Sequence, residues 1–143
     1  MSDSGDARLA GYSQWESVDP FEDYIGPLYY KEENDTYRCA FVVAGKHING
    51  QGGLHGGMMV SFADYALFMF ARNHLAGARA ITVTLNSEFA SAAIEGEFLE
   101  ATGEVVHETR GMLFLRGTIF SGDRVILNFS GVLKKLRAPS GKV

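Results

Sequence analysis

The densest group of residues able to do chemistry runs Asn49-Gly50-Gln51-Gly52-Gly53-Leu54-His55-Gly56-Gly57. Paired glycines at a helix start let another group approach the backbone closely. The first N–H groups of a helix have no intrahelical partners and sit at its positive dipole end. Such a mouth can hold an anion or stabilise a developing oxyanion. A tight turn that needs glycine for steric reasons alone would look the same. The loop is no Walker loop, because no Gly-Lys-Ser/Thr follows, and no dinucleotide fingerprint, because it opens no βαβ unit. Asp64, in an otherwise apolar stretch with Val60, Leu67 and Phe68 around it, is the second candidate. A carboxylate on a buried helix is costly unless paired or used; the plain alternative is a solvated stripe shared with Ser61. Thr82, Thr84 and Asn86 alternate with Ile81, Val83 and Leu85, which predicts one polar face, ordinary in a half-buried strand. His47 and His55 lie eight apart with no cysteine or carboxylate cluster near, too few ligands for zinc. No Gly-x-Ser-x-Gly elbow is present.

The elements that must carry these residues follow from local patterning. Residues 1–17 are small, polar and weakly patterned, and are expected as a mobile N-terminal arm, with Trp15 as the side chain able to dock. Asp19, Pro20 and Gly26 frame a short helix as N-cap, first residue and stop. Leu28–Tyr30 and Tyr37–Val43 read as short strands around Glu33-Asn34-Asp35. From His55 to about Leu75, apolar residues recur every three or four positions on nearly every side, the pattern of a buried helix, with Gly77 ending it. Along that helix His55 and Asp64 are separated by roughly 13 Å, so a second chain is one way to bring both to one reacting atom. Strands follow at 80–86, 97–107, 112–120 and 125–133, joined by Thr109-Arg110-Gly111 and Ser121-Gly122-Asp123. Strands, one long buried helix, then four strands at hairpin spacing predict an α+β fold, an antiparallel sheet wrapped around one central helix.

Composition narrows the function. The 143 residues make one domain, expected at 18–137 between the arm and a tail at 138–143. Thirteen Lys and Arg against seventeen Asp and Glu leave a formal net charge of −4. That balance argues against binding nucleic acid by phosphate neutralisation. The single Cys39, in an alternating strand, is expected in the core and forms no internal disulfide or CxxC site. No signal peptide and no membrane-length apolar run is seen. The expectation is a soluble cytoplasmic protein that touches neither nucleic acid nor membrane.

The string from His47 to Gly57, followed by Asp64 in Ser61-Phe62-Ala63-Asp64, resembles the hotdog-fold acyl-CoA thioesterases of the phenylacetate-pathway (PaaI) type. The likeness covers about residues 25–137. It implies a hotdog fold, dimers with a continuous sheet, often paired into tetramers, and an active site at the dimer interface. Asn49, His55 and Gly56 would come from one subunit, Asp64 and Thr82 from the other. Hydrolysis of an acyl-CoA thioester is implied. Gly56 N–H and the Asn49 side chain would polarise the carbonyl. Asp64 would act as general base on water, or as nucleophile, with Thr82 placing the water. His55 would orient the thioester or stabilise the leaving thiolate. Gly57 and Phe68 would line the substrate site; CoA phosphates need cations, for which Arg110, Arg116 and Lys134 are the candidates, Arg110 in its turn foremost. No metal and no cofactor beyond the CoA of the substrate is implied. The chain departs from the pattern at Phe89-Ala90-Ser91-Ala92-Ala93-Ile94, where many relatives have a proline-containing turn, which bears on acyl specificity. Two other functions fit a hotdog chain: a hydratase or dehydratase of enoyl or hydroxyacyl thioesters, and a non-catalytic acyl-CoA sensor.

Overall fold

The computed structural model describes residues 5–137. The first four residues of the expected arm, and the tail at 138–143, lie outside them. In chain order the strands are β1 (Ser13–Gln14), β2 (Tyr29–Glu33), β3 (Thr36–Val42), β4 (Ala80–Phe89), β5 (Phe98–Glu108), β6 (Met112–Ser121) and β7 (Arg124–Lys135). Helix α1 spans Pro20–Ile25 and α2 spans Gly56–Leu75. All seven strands form one antiparallel sheet in the order β1-β2-β3-β5-β6-β7-β4. The sheet curves around α2, as the element order predicts.

Local signals account for the ends of these elements. Asp19 caps α1 by accepting from the Glu22 N–H at 3.0 Å, and Pro20 is its first residue. The β2–β3 hairpin turns on Asn34 and Asp35, both with positive φ (54° and 66°), the conformation a two-residue hairpin loop demands. Helix α2 ends at Leu75. The expected stop at Gly77 is shared with Ala76, and the two residues are left-handed in succession (φ 49° and 89°).

The core is one cluster around α2. Phe62, Ala63, Ala66, Leu67 and Ala71 are fully buried against Phe41, Leu99, Leu113, Ile119, Leu127 and Leu133 of the sheet. Cys39 is fully buried among them. Met58, Met59 and Phe62 belong to this core. Two strand glycines let the helix approach. A Cβ on Gly131 would lie 2.5 Å from Leu67 Cδ1 and 2.8 Å from the Thr84 carbonyl oxygen, and one on Gly103 would collide with the Phe70 ring.

Two expectations need correction. Much of the segment expected as an arm is built onto the body. Ser13 and Gln14 pair with Tyr30 and Tyr29, Leu9 is buried against Tyr29 and Ala40 on the outer face of the sheet, and Trp15 packs edge-on to Tyr30. Its partners lie some fifteen to thirty positions away, so local pattern could not show them. The second concerns β4. Its register slips between Thr82 and Thr84, a bulge at Val83. An extra residue reverses the alternation beyond it. Thr82 therefore faces α2 together with Ala80, and the inward set resumes at Leu85. Thr82, Thr84 and Asn86 do not share one face.

Candidate active site

The glycine loop folds through its own hydrogen bonds. The Asn49 N–H donates to the Gly53 carbonyl (2.8 Å), and Asn49 Oδ1 accepts from Gln51 N–H (2.8 Å) and Gly53 N–H (3.1 Å). With its oxygen engaged, the Asn49 amide keeps its Nδ2 donors for another acceptor. His47 is structural. It is 5% exposed, Nδ1 accepts from Ala44 N–H (2.9 Å), and Nε2 therefore donates to the Ile25 carbonyl (2.6 Å). Burial holds its pKa below the usual histidine value, despite the bond to Ile25. Among the described residues no group of three or more His, Cys, Asp or Glu is placed to hold a metal ion.

His55 is the N-cap of α2. Its Nδ1 accepts from Gly57 N–H at 2.8 Å, so the neutral ring carries its proton on Nε2, toward solvent. The Gly57 N–H is thereby taken. The Gly56 N–H has no partner among the described residues, and it stands at the positive end of a twenty-residue helix. The ring edge of the exposed Phe89 rests over Gly56, where a Cβ would come within 3.2 Å. The mouth thus offers a free backbone donor and an imidazole N–H, with the Asn49 amide donors in the loop that leads into it.

Asp64 is half-buried on α2, and Thr82 Oγ1 donates to its Oδ1 at 2.6 Å. The bulge in β4 is what turns Thr82 toward it. Oδ2 is left for a further donor. Asp64 and Phe68 line a cavity of about 840 Å³ along α2. Eight residues of helix, roughly 12 Å, separate Asp64 from Gly56. The chain thus places Asn49, His55 and Gly56 in the loop and first turn that open α2, and Asp64, Thr82 and Phe68 along the middle of the helix. Arg110 joins neither. It is exposed in the β5–β6 turn, next to Glu108, which bonds His74 near the C-terminal end of α2. Glu22 of α1 and the buried Tyr65 line the same cavity as Asp64. Neither carries a local motif, and no sequence signal marks either.

The architecture and this constellation define a class. The model of the thioesterase superfamily matches residues 51–127, more than half of the chain, and the chain belongs to that superfamily, with its hotdog fold. Among relatives, the Pseudomonas aeruginosa protein PA0474, whose designation as an esterase is provisional, is 29% identical over 115 residues, covering 79% of this chain and 86% of that one. The PaaI protein of the Escherichia coli phenylacetic acid degradation operon superposes with a TM-score of 0.75 at 20% identity, over 84% of this chain and 86% of that one. A hypothetical thioesterase of Streptococcus pneumoniae, solved with coenzyme A, gives 0.70 at 17% identity, over 79% and 88%. At these identities the two structures speak for a shared fold. No helix among the described residues is long and apolar enough to cross a membrane.

Proposed function

We propose that the protein is an acyl-CoA thioesterase that works as a homodimer, one copy supplying the helix mouth and the other the carboxylate. The carrying observation is the separation just described. One chain holds a donor-bearing helix mouth and a half-buried carboxylate, and the helix between them keeps them roughly 12 Å apart. Superfamily membership and a relative with coenzyme A bound support the substrate class.

Gly56 N–H and Asn49 Nδ2 of one copy donate to the thioester carbonyl oxygen, which gains charge in the transition state. Asp64 of the other copy takes a proton from water through its free oxygen while the water oxygen bonds the carbonyl carbon. The Thr82 hydroxyl holds the carboxylate in place. As the tetrahedral adduct collapses, the carbon–sulfur bond breaks and the thiolate leaves past the His55 Nε2–H. The proton on Asp64 then returns to the thiolate, leaving carboxylic acid and free CoA. The second copy approaches along β4, an edge strand with Ile81 and Val83 each 48% exposed.

Thiol release from a panel of acyl-CoA esters tests this reading. Purified protein is expected to release CoA, and Asp64→Asn to fold normally with kcat lower by about 10²–10⁴. Absence of thiol from every ester, or full activity in Asp64→Asn, refutes it. Single turnover in ¹⁸O-labelled water separates the base role from attack by Asp64 itself, which would place solvent oxygen in its carboxylate.

A further inference from the structure

Two cavities meet against α2. The first, about 840 Å³, carries Asp64, Phe68 and Met69 along one wall. The second, about 470 Å³, extends toward Leu28 and Lys46. Trp15, Glu22 and Tyr65 line both.

The polar groups at this junction are unmatched. Tyr65 is 3% exposed, and its hydroxyl has no hydrogen-bond partner among the described residues. Burial raises its pKa, so the hydroxyl stays neutral. The Glu22 carboxyl has no hydrogen bond or counter-ion among the described residues. The titratable groups acting on it or acted on by it are Asp19 and Asp23 of its own helix, Asp64 and Tyr65 of α2, and Cys39 of β3. Burial first, then Asp19, Asp64 and Asp23, push Glu22 up to about 7. Among the described residues three cations line the cavities and none pairs with Glu22. Arg79 stands at the α2–β4 end of the first cavity and is not among the groups that shift the carboxyl, and the other two are engaged elsewhere. Arg72 lies 4.8 Å from the Trp15 ring centre and 5.2 Å from those of Tyr30 and Tyr37, and Lys46 Nζ donates to the Tyr24 carbonyl at 2.9 Å. A buried orphan hydroxyl beside an unpaired carboxyl is satisfied when a ligand brings the missing donor.

We propose, on the thioesterase reading, that the junction is the far end of the acyl subsite and that Glu22 and Tyr65 select acyl groups bearing a hydrogen-bond donor over plain hydrocarbon chains. With the thioester carbonyl at Asp64, the acyl group runs past Phe68 and Trp15 and presents its distal atom to the two side chains. A site built to bond a polar atom discriminates strongly against the analogue that lacks it, because its own buried groups are then left unpaired.

Three isosteric probes test this with the full chain: heptanoyl-CoA, 6-hydroxyhexanoyl-CoA and 6-aminohexanoyl-CoA. We expect kcat/KM for a donor-bearing probe to exceed that for heptanoyl-CoA by about tenfold or more, the hydroxyl and ammonium arms showing which donor is taken. The preference is expected to rise as pH increases through about 7, where Glu22 becomes a pure acceptor, and to be flat in Glu22→Gln. Tyr65→Phe is expected to reduce the ratio severalfold. Wild-type protein that turns over heptanoyl-CoA as well as both other probes overturns the proposal and leaves the thioesterase reading standing. Release of no thiol from any acyl-CoA overturns both.

Discussion

Asp64 is held by one hydroxyl, and two consequences at the level of single residues follow from its surroundings. Replacing Thr82 with valine keeps the volume and removes the 2.6 Å hydrogen bond. Misplacing the base is expected to lower kcat roughly 10- to 100-fold, and losing a hydrogen bond to a charged group, worth about 1.5–3 kcal/mol, to lower the melting temperature by several degrees at most; steady-state kinetics with a thermal melt checks both. Glu22 gives a stability effect with a definite sign. Its folded pKa, raised mainly by burial to about 7, exceeds that of an unfolded glutamate, near 4.3. The neutral carboxyl is tolerated in the native state, and stability present below about pH 4 is lost as pH rises through 7. Glu22→Gln, which cannot ionise, is therefore expected to match wild type near pH 4 and to melt progressively higher than it up to about pH 8. Melting curves for both proteins across that range show it, and the difference between them cancels the other carboxylates.

At the level of elements, the site depends on how α2 sits in the sheet. Its first turn is capped by His55, which leaves Gly56 N–H as the free donor, and its middle is pressed into strands whose glycines make room. Gly131→Ala would place a methyl 2.5 Å from Leu67 Cδ1 and 2.8 Å from the Thr84 carbonyl oxygen. Overpacking of this kind costs about 1–3 kcal/mol. Gly111→Ala in the β5–β6 turn, where an added Cβ meets nothing within 4 Å, is expected to cost little. Urea denaturation of the two variants separates a packing requirement from a general dislike of alanine. The same region carries the β4 bulge, which turns Thr82 to Asp64.

At the level of the whole molecule, the proposed dimer is what would join the helix mouth to the carboxylate. Strand β4 ends the sheet, and its exposed Ile81 and Val83 lie close along the chain to Thr82. An unpaired apolar edge is a template for another strand, and a lysine on it blocks such pairing. Val83→Lys is expected to turn a dimer into a monomer in sedimentation velocity, with thioesterase activity lost in step and the circular dichroism spectrum kept. A variant that stays dimeric and active would place the partner on another face.

Much of this molecule is written locally. Helix α2 was legible because apolar residues repeat at helical spacing over five turns, α1 because Asp19, Pro20 and Gly26 are cap, start and stop, and β5 to β7 because their faces alternate between short turns. The spacing of Asn49, His55, Gly56 and Asp64 along the chain is also a property of the sequence. The inward turn of Thr82 was not legible, since a single unpaired residue in β4 reverses its face and only the register with β7 reveals it. Nor was the seating of Trp15 and Glu22 over α2, because their neighbours are remote in sequence. Periodicity records which side of an element avoids water; which groups then share an enclosed space is decided by pairing and packing at long range.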